Sequence, residues 1–462
     1  MRPRTRPQAA HRLVTAAALA LCLLAAGAGT VLATQVSFGT PTAVSKFGQG
    51  IVFTQPYSTS AKLDGAEILI DYPGAVGPSA TEIVPQGSGQ LQYRLDASGG
   101  EVLPNDVLVA RWRVTLSDGT VETGPDVTVT YADDRFAWQT ATQGLIRMHW
   151  YQYSKSQGES WARIGADGLA KAVAYIGAVE TVPIDVYVYR AQQDLIGALG
   201  PGTSVNVGGR ANEPARTCYA LIEPSYVYFG ASVIPHELTH VVFWDATHSP
   251  YGTPPHWLNE GMATYLADGY DSSNRDMVKR AAKDGSLMPL KAIANDFPTS
   301  ADRFALGYAE GTAAVDYFVA KYGKPAMNTL LLTYGKGATD DEAFGAAISK
   351  SADQFDVEWL AAQGVTSTPS FGPQPAPTGP MPPGWVAGGS PGATASPDSG
   401  GSGTPTATSG SNGAAGGGQP SDRESKGSRA MLIAGLLACA GLVLLGLGAA
   451  LHAAQRRAGR GW

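Results

Sequence analysis

Between residues 34 and 133 the chain consists of short runs in which hydrophobic and polar positions alternate. Gly, Pro and Asp separate these runs, and Ser117-Asp118-Gly119 is typical of a hairpin turn. The strand-like runs are 50–53, 66–70, 91–95, 107–114 and 127–131. Short strands at this spacing predict an antiparallel β-sandwich of about 100 residues. This stretch carries no catalytic constellation, which favours a structural role.

From residue 134 the pattern changes. Apolar runs at 144–151 and 182–189 predict strands, residues 159–176 have helical periodicity, and 217–229 holds two strand-like runs around Pro224. After residue 232 the periodicity is mostly helical, with Ser273, Thr339 and Ser351 as candidate N-caps and Gly323 as a candidate helix stop. Strands followed by a run of helices predict an α+β domain over 134–363, built from a small sheet and a mostly helical C-terminal part.

Both ends of the chain are apolar. Four arginines among residues 2–12 precede 21 uncharged residues at 13–33, which predicts a signal peptide over 1–33, or a retained anchor if it is not cleaved. Twenty uncharged residues at 431–450 precede a basic end. They predict a transmembrane helix over 430–453 and a cytoplasmic tail over 454–462. The expected location is the cell membrane, with an extracellular body.

Residues 364–429 contain 16 Gly and 11 Pro but only six charged residues, and show no apolar period. Such a composition cannot bury enough surface to offset chain entropy, so we expect a disordered stalk. It holds 27 of the chain's 88 Gly and Pro residues, well above its share of the length.

The remaining composition excludes several classes of protein. A formal charge of −6 argues against nucleic-acid binding, because contacts with the phosphate backbone need an excess of basic residues. Between the apolar ends Cys218 is the only cysteine, so an internal disulfide and a CxxC-type site are both excluded there. The sequence leaves the oligomeric state open.

Four of the seven histidines fall between residues 236 and 256, and two of them form His236-Glu237-Leu238-Thr239-His240. In this HExxH motif positions i and i+4 share one helix face, so both imidazoles can hold one metal ion. Glu237 then lies beside the ion, where a carboxylate can deprotonate a water.

A zinc site needs a third protein ligand. Glu260 stands twenty residues after His240, within Trp257-Leu258-Asn259-Glu260-Gly261. A third histidine in the HExxHxxGxxH pattern is excluded, because the required positions hold Phe243 and Ala246, and His248 lies two residues too far. We therefore expect Zn²⁺ to be held by His236, His240 and Glu260.

This pairing of HExxH with a downstream Trp-Leu-Asn-Glu-Gly-x-Ala resembles the gluzincin zinc metallopeptidases. The segments 307–311 and 133–138 are similar to those of the compact bacterial peptidase MA-like members. The resemblance covers roughly 134–363 and implies a peptidase in which Glu237 acts as general base and acid. It also implies an oxyanion-stabilising residue, for which Tyr308 is the first candidate and His256 the second. An edge strand that pairs with the substrate backbone is expected within 218–229.

Two positions depart from the family pattern. Thr264 stands where thermolysin has an aspartate that orients a ligand histidine, so Asp245 and Asp268 become the candidates for that role. The Gly-x-Met-x-Asn-type motif of zinc aminopeptidases is not found, which favours an endopeptidase.

Three functions remain open at this stage. The leading hypothesis is a membrane-anchored extracellular zinc peptidase with peptide or protein substrates. The alternatives are a non-catalytic surface binding or adhesion protein on a stalk that retains the peptidase fold, and a zinc hydrolase acting on a non-peptide bond.

Overall fold

The computed structural model of the protein describes residues 36–365, except for residues 88, 201–202 and 204–206. The chain divides into two units, one ending at Pro250 and the other starting at Tyr251. The predicted boundary between 133 and 134 lies inside the first unit and stays a prediction. The predicted signal peptide, transmembrane helix and tail lie outside the described residues, as does the stalk beyond 365. Within the described ranges, no helix is both long and apolar enough to cross a bilayer.

The first unit begins with two antiparallel sheets. One has the order β1-β3-β2 with β6 also on β3, and the other has the order β5-β4-β7-β8 with β9 also on β7. The strands are β1 (Val36–Phe38), β2 (Thr42–Lys46), β3 (Gly50–Thr59), β4 (Leu63–Asp71), β5 (Ser79–Ile83), β6 (Gln90–Leu95), β7 (Val107–Leu116), β8 (Val121–Thr123) and β9 (Val127–Thr130). Phe53 of the first sheet and Ile68 and Trp112 of the second belong to one buried core. The two sheets therefore form the sandwich that the alternating pattern predicts.

A third sheet completes the first unit. Its strands are β10 (Gln139–Gln143), β11 (Ile146–Trp150), β12 (Ile184–Tyr189), β13 (Gly209–Asn212) and β14 (Thr217–Leu221), in the order β10-β11-β12-β14-β13. The three inner strands are parallel and both edge strands are antiparallel to their neighbours. The helices of this unit are α1 (Lys155–Ile176), α2 (Gln192–Leu199) and α3 (Gly230–Thr247). Because parallel neighbours require a crossover, α1 connects β11 to β12.

One predicted strand of this region is wrong. Within 217–229 only the first run is a strand, and the second is a 3-10 turn at Pro224–Phe229. Pro224 lacks the N–H that a strand ladder needs and stands at the first position of the turn. The chain thus turns directly from β14 into α3.

The second unit is helical in its described part, as the periodicity predicts. It contains α4 (His256–Ala267), α5 (Ser272–Asp284), α6 (Ala301–Tyr334), α7 (Asp340–Ile348) and α8 (Ala352–Ala362), with a 3-10 turn at Leu290–Ile293 between α5 and α6.

Helix ends in the second unit test the predicted caps. Thr339 and Ser351 each form a capping box, and Gly323 interrupts α6 with a φ of 83°. Ser273 is not a cap: Asp271 accepts the N–H of Asn274 and begins α5 two residues earlier. A carboxylate and a hydroxyl are nearly equal as caps, so the sequence alone does not separate these two positions.

Helices α4 and α6 cross in backbone contact. A Cβ placed on Gly261 would lie 2.4 Å from the Gly311 carbonyl oxygen, and one on Gly311 would lie 2.7 Å from the Trp257 carbonyl oxygen. Only glycine permits this approach, because a backbone neighbour cannot move aside as a flexible side chain can. The crossing fixes the helix that carries Glu260.

We predict that Gly311→Ala lowers the free energy of unfolding by about 1–3 kcal/mol, the usual cost of overpacking. Gly345→Ala in α7 is the matched control, since a Cβ at that position meets no atom within 4 Å. It should be neutral or stabilising by up to about 1 kcal/mol, because alanine is the better helix former. Urea unfolding measures both values. Equal stability of Gly311→Ala and wild type would contradict the close crossing.

Candidate metal centre

The HExxH motif lies on α3, as predicted, and the helix is buried along most of its length. The Nε2 atoms of His236 and His240 are 3.1 Å apart, and the two rings meet edge to face with centroids 4.8 Å apart. His240 and Glu237 are 6% and 4% exposed, whereas His236 is half-buried. One turn of helix therefore brings two imidazole nitrogens together.

Glu260 lies on α4, whose first turn begins after Pro255. The helix start is anchored by the N–H of His256, which donates to the Ala294 carbonyl oxygen at 2.6 Å. The Nε2 atom of His256 is 3.9 Å from the Glu260 carboxylate oxygen Oε1. His256 and Glu260 thus share one helix face, as their spacing predicts.

The predicted donor set comes together. A ring nitrogen of His236, one of His240 and a carboxylate oxygen of Glu260 lie within 4.8 Å of one another. Two nitrogens bound to one tetrahedral zinc are separated by about 3.3 Å, given a Zn–N distance of about 2.0–2.1 Å. The 3.1 Å between the two imidazoles matches that separation. The donor types therefore fit a three-ligand zinc site, and the spacing of the two imidazoles matches one.

Strand β13 passes beside Glu237. A Cβ placed on Gly209 would lie 2.3 Å from the Glu237 oxygen Oε1, so the backbone of this strand directly faces the carboxylate. In the described part of the chain β13 is an edge strand, whereas β14 is paired on both sides. The edge strand expected within 218–229 therefore lies at 209–212 instead.

Sequence reasoning missed β13 because it is short and has no apolar alternation. The signal that could have found it is the pair Gly208-Gly209, since glycine inside a strand often marks a close approach of another group.

The two candidates for oxyanion stabilisation surround one aromatic ring. Phe297 makes edge-to-face contacts with His256 and with Tyr308, with centroids 4.6 and 5.0 Å apart. Tyr308 is half-buried in α6 and also contacts Phe304. Both candidates are held by packing, and their catalytic roles stay predictions.

Asp245 and Asp268 were candidates for orienting a ligand histidine. Asp245 instead accepts from Arg216 Nη1 at 2.6 Å, at the exposed end of α3. Asp268 is the C-cap residue of α4, and its predicted role stays open.

Glu310 is a buried acid in the segment 307–311 that carries part of the family resemblance. Its side chain is fully buried and accepts the Met288 N–H at 2.9 Å. Burial raises the pKa of Glu310 to about 9; the nearby Asp356 raises it as well, whereas the Met288 hydrogen bond and Arg303 lower it. The carboxyl group is therefore neutral at pH 7 and holds the loop after α5 against α6.

The donor set and the adjacent carboxylate are those that the gluzincin resemblance implies. Residues 164–364 match the sequence model of the Peptidase MA superfamily. This match confirms the predicted resemblance to the gluzincin-like peptidases for that segment, which includes both ligand-bearing helices.

Solved structures of peptidases are similar at low identity. An M1 zinc metallopeptidase from Deinococcus radiodurans is 15% identical over 72% of this chain and 96% of its own, with a TM-score of 0.36. A mutant M1 zinc metallopeptidase from that organism, bound to a Tyr-Ser-Ala substrate, is 14% identical over 71% and 94%, with a TM-score of 0.35. An aminopeptidase N family protein from Idiomarina loihiensis is 10% identical over 71% and 73%, with a TM-score of 0.33. No curated protein sequence matches the chain.

We predict that Glu310→Gln removes a pH dependence of stability. The folded state keeps a proton on Glu310 up to a pKa of about 9, whereas the unfolded chain loses it near 4.5. Wild-type stability therefore falls as pH rises between these values, by at most about 1.4 kcal/mol per pH unit from this group. Urea unfolding at pH 5 and pH 8.5 gives the free energy of unfolding of both proteins. The value for the variant should rise relative to that of wild type at the higher pH.

The same substitution at the exposed Glu82 controls for the loss of one carboxylate. If Glu310→Gln and wild type change in parallel over this pH range, the buried carboxyl is not protonated in the folded state.

Proposed function

We propose that the protein is a zinc-dependent peptidase that hydrolyses peptide bonds. The observation that carries the proposal is the meeting of His236, His240 and Glu260 donor atoms within 4.8 Å of one another, beside the buried Glu237. The Peptidase MA match over 164–364 supports the same reaction class.

Each residue of the site has a role that its chemistry allows. His236 and His240, as neutral imidazoles, and the Glu260 carboxylate would hold zinc. When bound, zinc supplies a Lewis acid that polarises a carbonyl group and makes water acidic near neutral pH. Glu237 accepts a proton from the attacking water and delivers it to the leaving amine. The carboxylate is buried, so bulk water does not compete for this proton transfer.

Strand β13 is the element that would align the substrate. Its face at Gly209 lies against Glu237, and an extended peptide can add to an exposed sheet edge through main-chain hydrogen bonds. A peptide paired there lies next to the proton-transferring carboxylate. This supports a peptide substrate over a small non-peptide one.

Two finer parts belong to the same proposal. Tyr308 or His256 would stabilise the oxyanion, and both lie around Phe297 in the second unit. Endopeptidase action is favoured because the sequence lacks the amine-anchoring Gly-x-Met-x-Asn motif.

We predict that full-length protein purified in detergent contains about one zinc per chain. His236→Ala should lose the metal, since two remaining donors do not complete the site. Glu237→Gln should keep the zinc and lower the rate of peptide cleavage by about 10²–10⁴-fold, the usual contribution of a general base. His248→Ala is the matched control, because His248 is exposed and stacks on Trp244. Metal analysis and digestion of a peptide library measure these effects.

The outcomes of this experiment separate the hypotheses. If the wild-type protein contains no zinc, the proposed metal site is wrong. If it contains zinc but cleaves no peptide, the hypothesis of a non-catalytic surface binding protein is favoured. Peptides cut at internal bonds indicate an endopeptidase, whereas single residues released from one end indicate an exopeptidase.

The same assay tests the two candidates for oxyanion stabilisation. Tyr308→Phe should lower kcat by about 10²–10³-fold if the Tyr308 hydroxyl stabilises the oxyanion, and His256→Gln should lower it similarly if the imidazole does.

We further propose that the peptidase is extracellular and anchored to the cell membrane by its C-terminal segment. The support is the uncharged run of twenty residues at 431–450, followed by arginines. We predict that the full chain sediments with membranes and that a chain ending at residue 429 is released into the medium. An equal distribution of both chains would contradict the anchor.

A further inference from the structure

The β-sandwich contacts the strand that would align the substrate, on the face opposite Glu237. We propose that the 103–106 loop of the sandwich positions β13, and that Asp106 and Asn212 are the positioning residues. This inference rests on the proposed function for its consequence in catalysis, but the contact itself lies within the first unit.

The central contact is a hydrogen bond between residues far apart in sequence. Asn212 Nδ2 donates to Asp106 Oδ1 at 2.6 Å, and the other oxygen of Asp106 accepts the Leu103 N–H at 2.9 Å. Asp106 is 5% exposed. One oxygen of a buried carboxylate thus fixes the loop, and the other fixes β13.

The carboxylate is buried together with partners that favour its charged form. Burial raises the pKa of Asp106 to about 6, while the hydrogen bonds from Leu103 and Asn212 and the charge of Arg210 oppose that rise. Asp106 is therefore ionised at neutral pH, and its hydrogen bond to Asn212 is charge-assisted.

The strand presents its two faces to different partners. Successive residues of a strand point to opposite faces, so Gly209 and Ala211 share one face while Arg210 and Asn212 share the other. Gly209 faces Glu237 and Asn212 binds Asp106. The 103–106 loop thus contacts one face of β13 and leaves the other face, which is directed at Glu237, unobstructed.

Further contacts hold the same segment. Tyr219 of β14, which stands opposite Arg210, is fully buried and donates its hydroxyl to the Pro104 carbonyl oxygen. A Cβ on Gly74 of the sandwich would lie 2.4 Å from the Pro214 Cβ, just after β13. On the other side of β13 in sequence, a Cβ on Gly200 would lie 2.8 Å from the Gly100 Cα.

These contacts matter because β13 is weak by itself. It has four residues and pairs, within the described chain, with β14 alone. A strand this short at an edge opens readily, yet a substrate backbone needs a fixed register to bring its scissile bond to the metal. The sandwich provides that rigidity through the 103–106 loop.

The test introduces a repulsion between two carboxylates at the contact and then removes it with a compensating substitution. Asn212→Asp places a second carboxylate against Asp106 and should detach β13 from the loop. Adding Asp106→Asn restores a donor–acceptor pair of the same shape with the roles exchanged. Asn274→Asp is the matched control, because it adds the same charge in the first turn of α5, where a carboxylate is favourable.

In Asn212→Asp we expect amide hydrogen exchange of residues 209–212 to be at least tenfold faster, while the zinc content stays unchanged. For a cleaved peptide, the factor by which KM rises should be about ten times the factor by which kcat falls. The double variant should recover most of both effects, and Asn274→Asp should show neither.

Three outcomes would overturn the positioning role: unchanged exchange at 209–212, an equal increase of exchange throughout β1–β9, or a double variant as impaired as the single one. If wild type cleaves no peptide, the proposed function fails, while the exchange measurements still decide whether the loop positions β13.

Discussion

The spacing of two histidines by one helical turn is the constraint on which the rest of the structure depends. It brings two ring nitrogens to 3.1 Å only if α3 is a regular helix across the motif. Imidazoles and carboxylates withdrawn from water are costly unless they are paired or coordinate a metal. The apolar residues that bury α3 against α1 and the third sheet therefore serve to hold a polar group of atoms in a dry environment.

Features encoded by neighbouring residues could be predicted from the sequence. The HExxH helix, the strands of the sandwich, the capping boxes of Thr339 and Ser351 and the break at Gly323 all follow from local periodicity or local hydrogen bonds. Glu260 required one step more, since its spacing from His240 had to be combined with a family pattern. The structure groups Glu260 with both histidines, and its role as a ligand stays a prediction.

Features set by contacts distant in sequence could not be predicted. Strand β13 has no apolar alternation, and only its pairing with β14 and its approach to Glu237 give it a role. The turn at Pro224–Phe229 has a local cause instead, because Pro224 lacks a backbone N–H, but the β-like composition around it hides that signal. The neutral state of Glu310 arises from its complete burial, which its position among small residues of α6 does not reveal.

The shortness of β13 has a second consequence. An exposed strand edge is a template on which another chain can add, and long flat edges of this kind lead to aggregation. Four residues, one of them the exposed Arg210, offer too few hydrogen bonds and too much charge to start such growth. Under the proposed function, such an edge would accept a transient guest peptide while resisting permanent stacking between molecules.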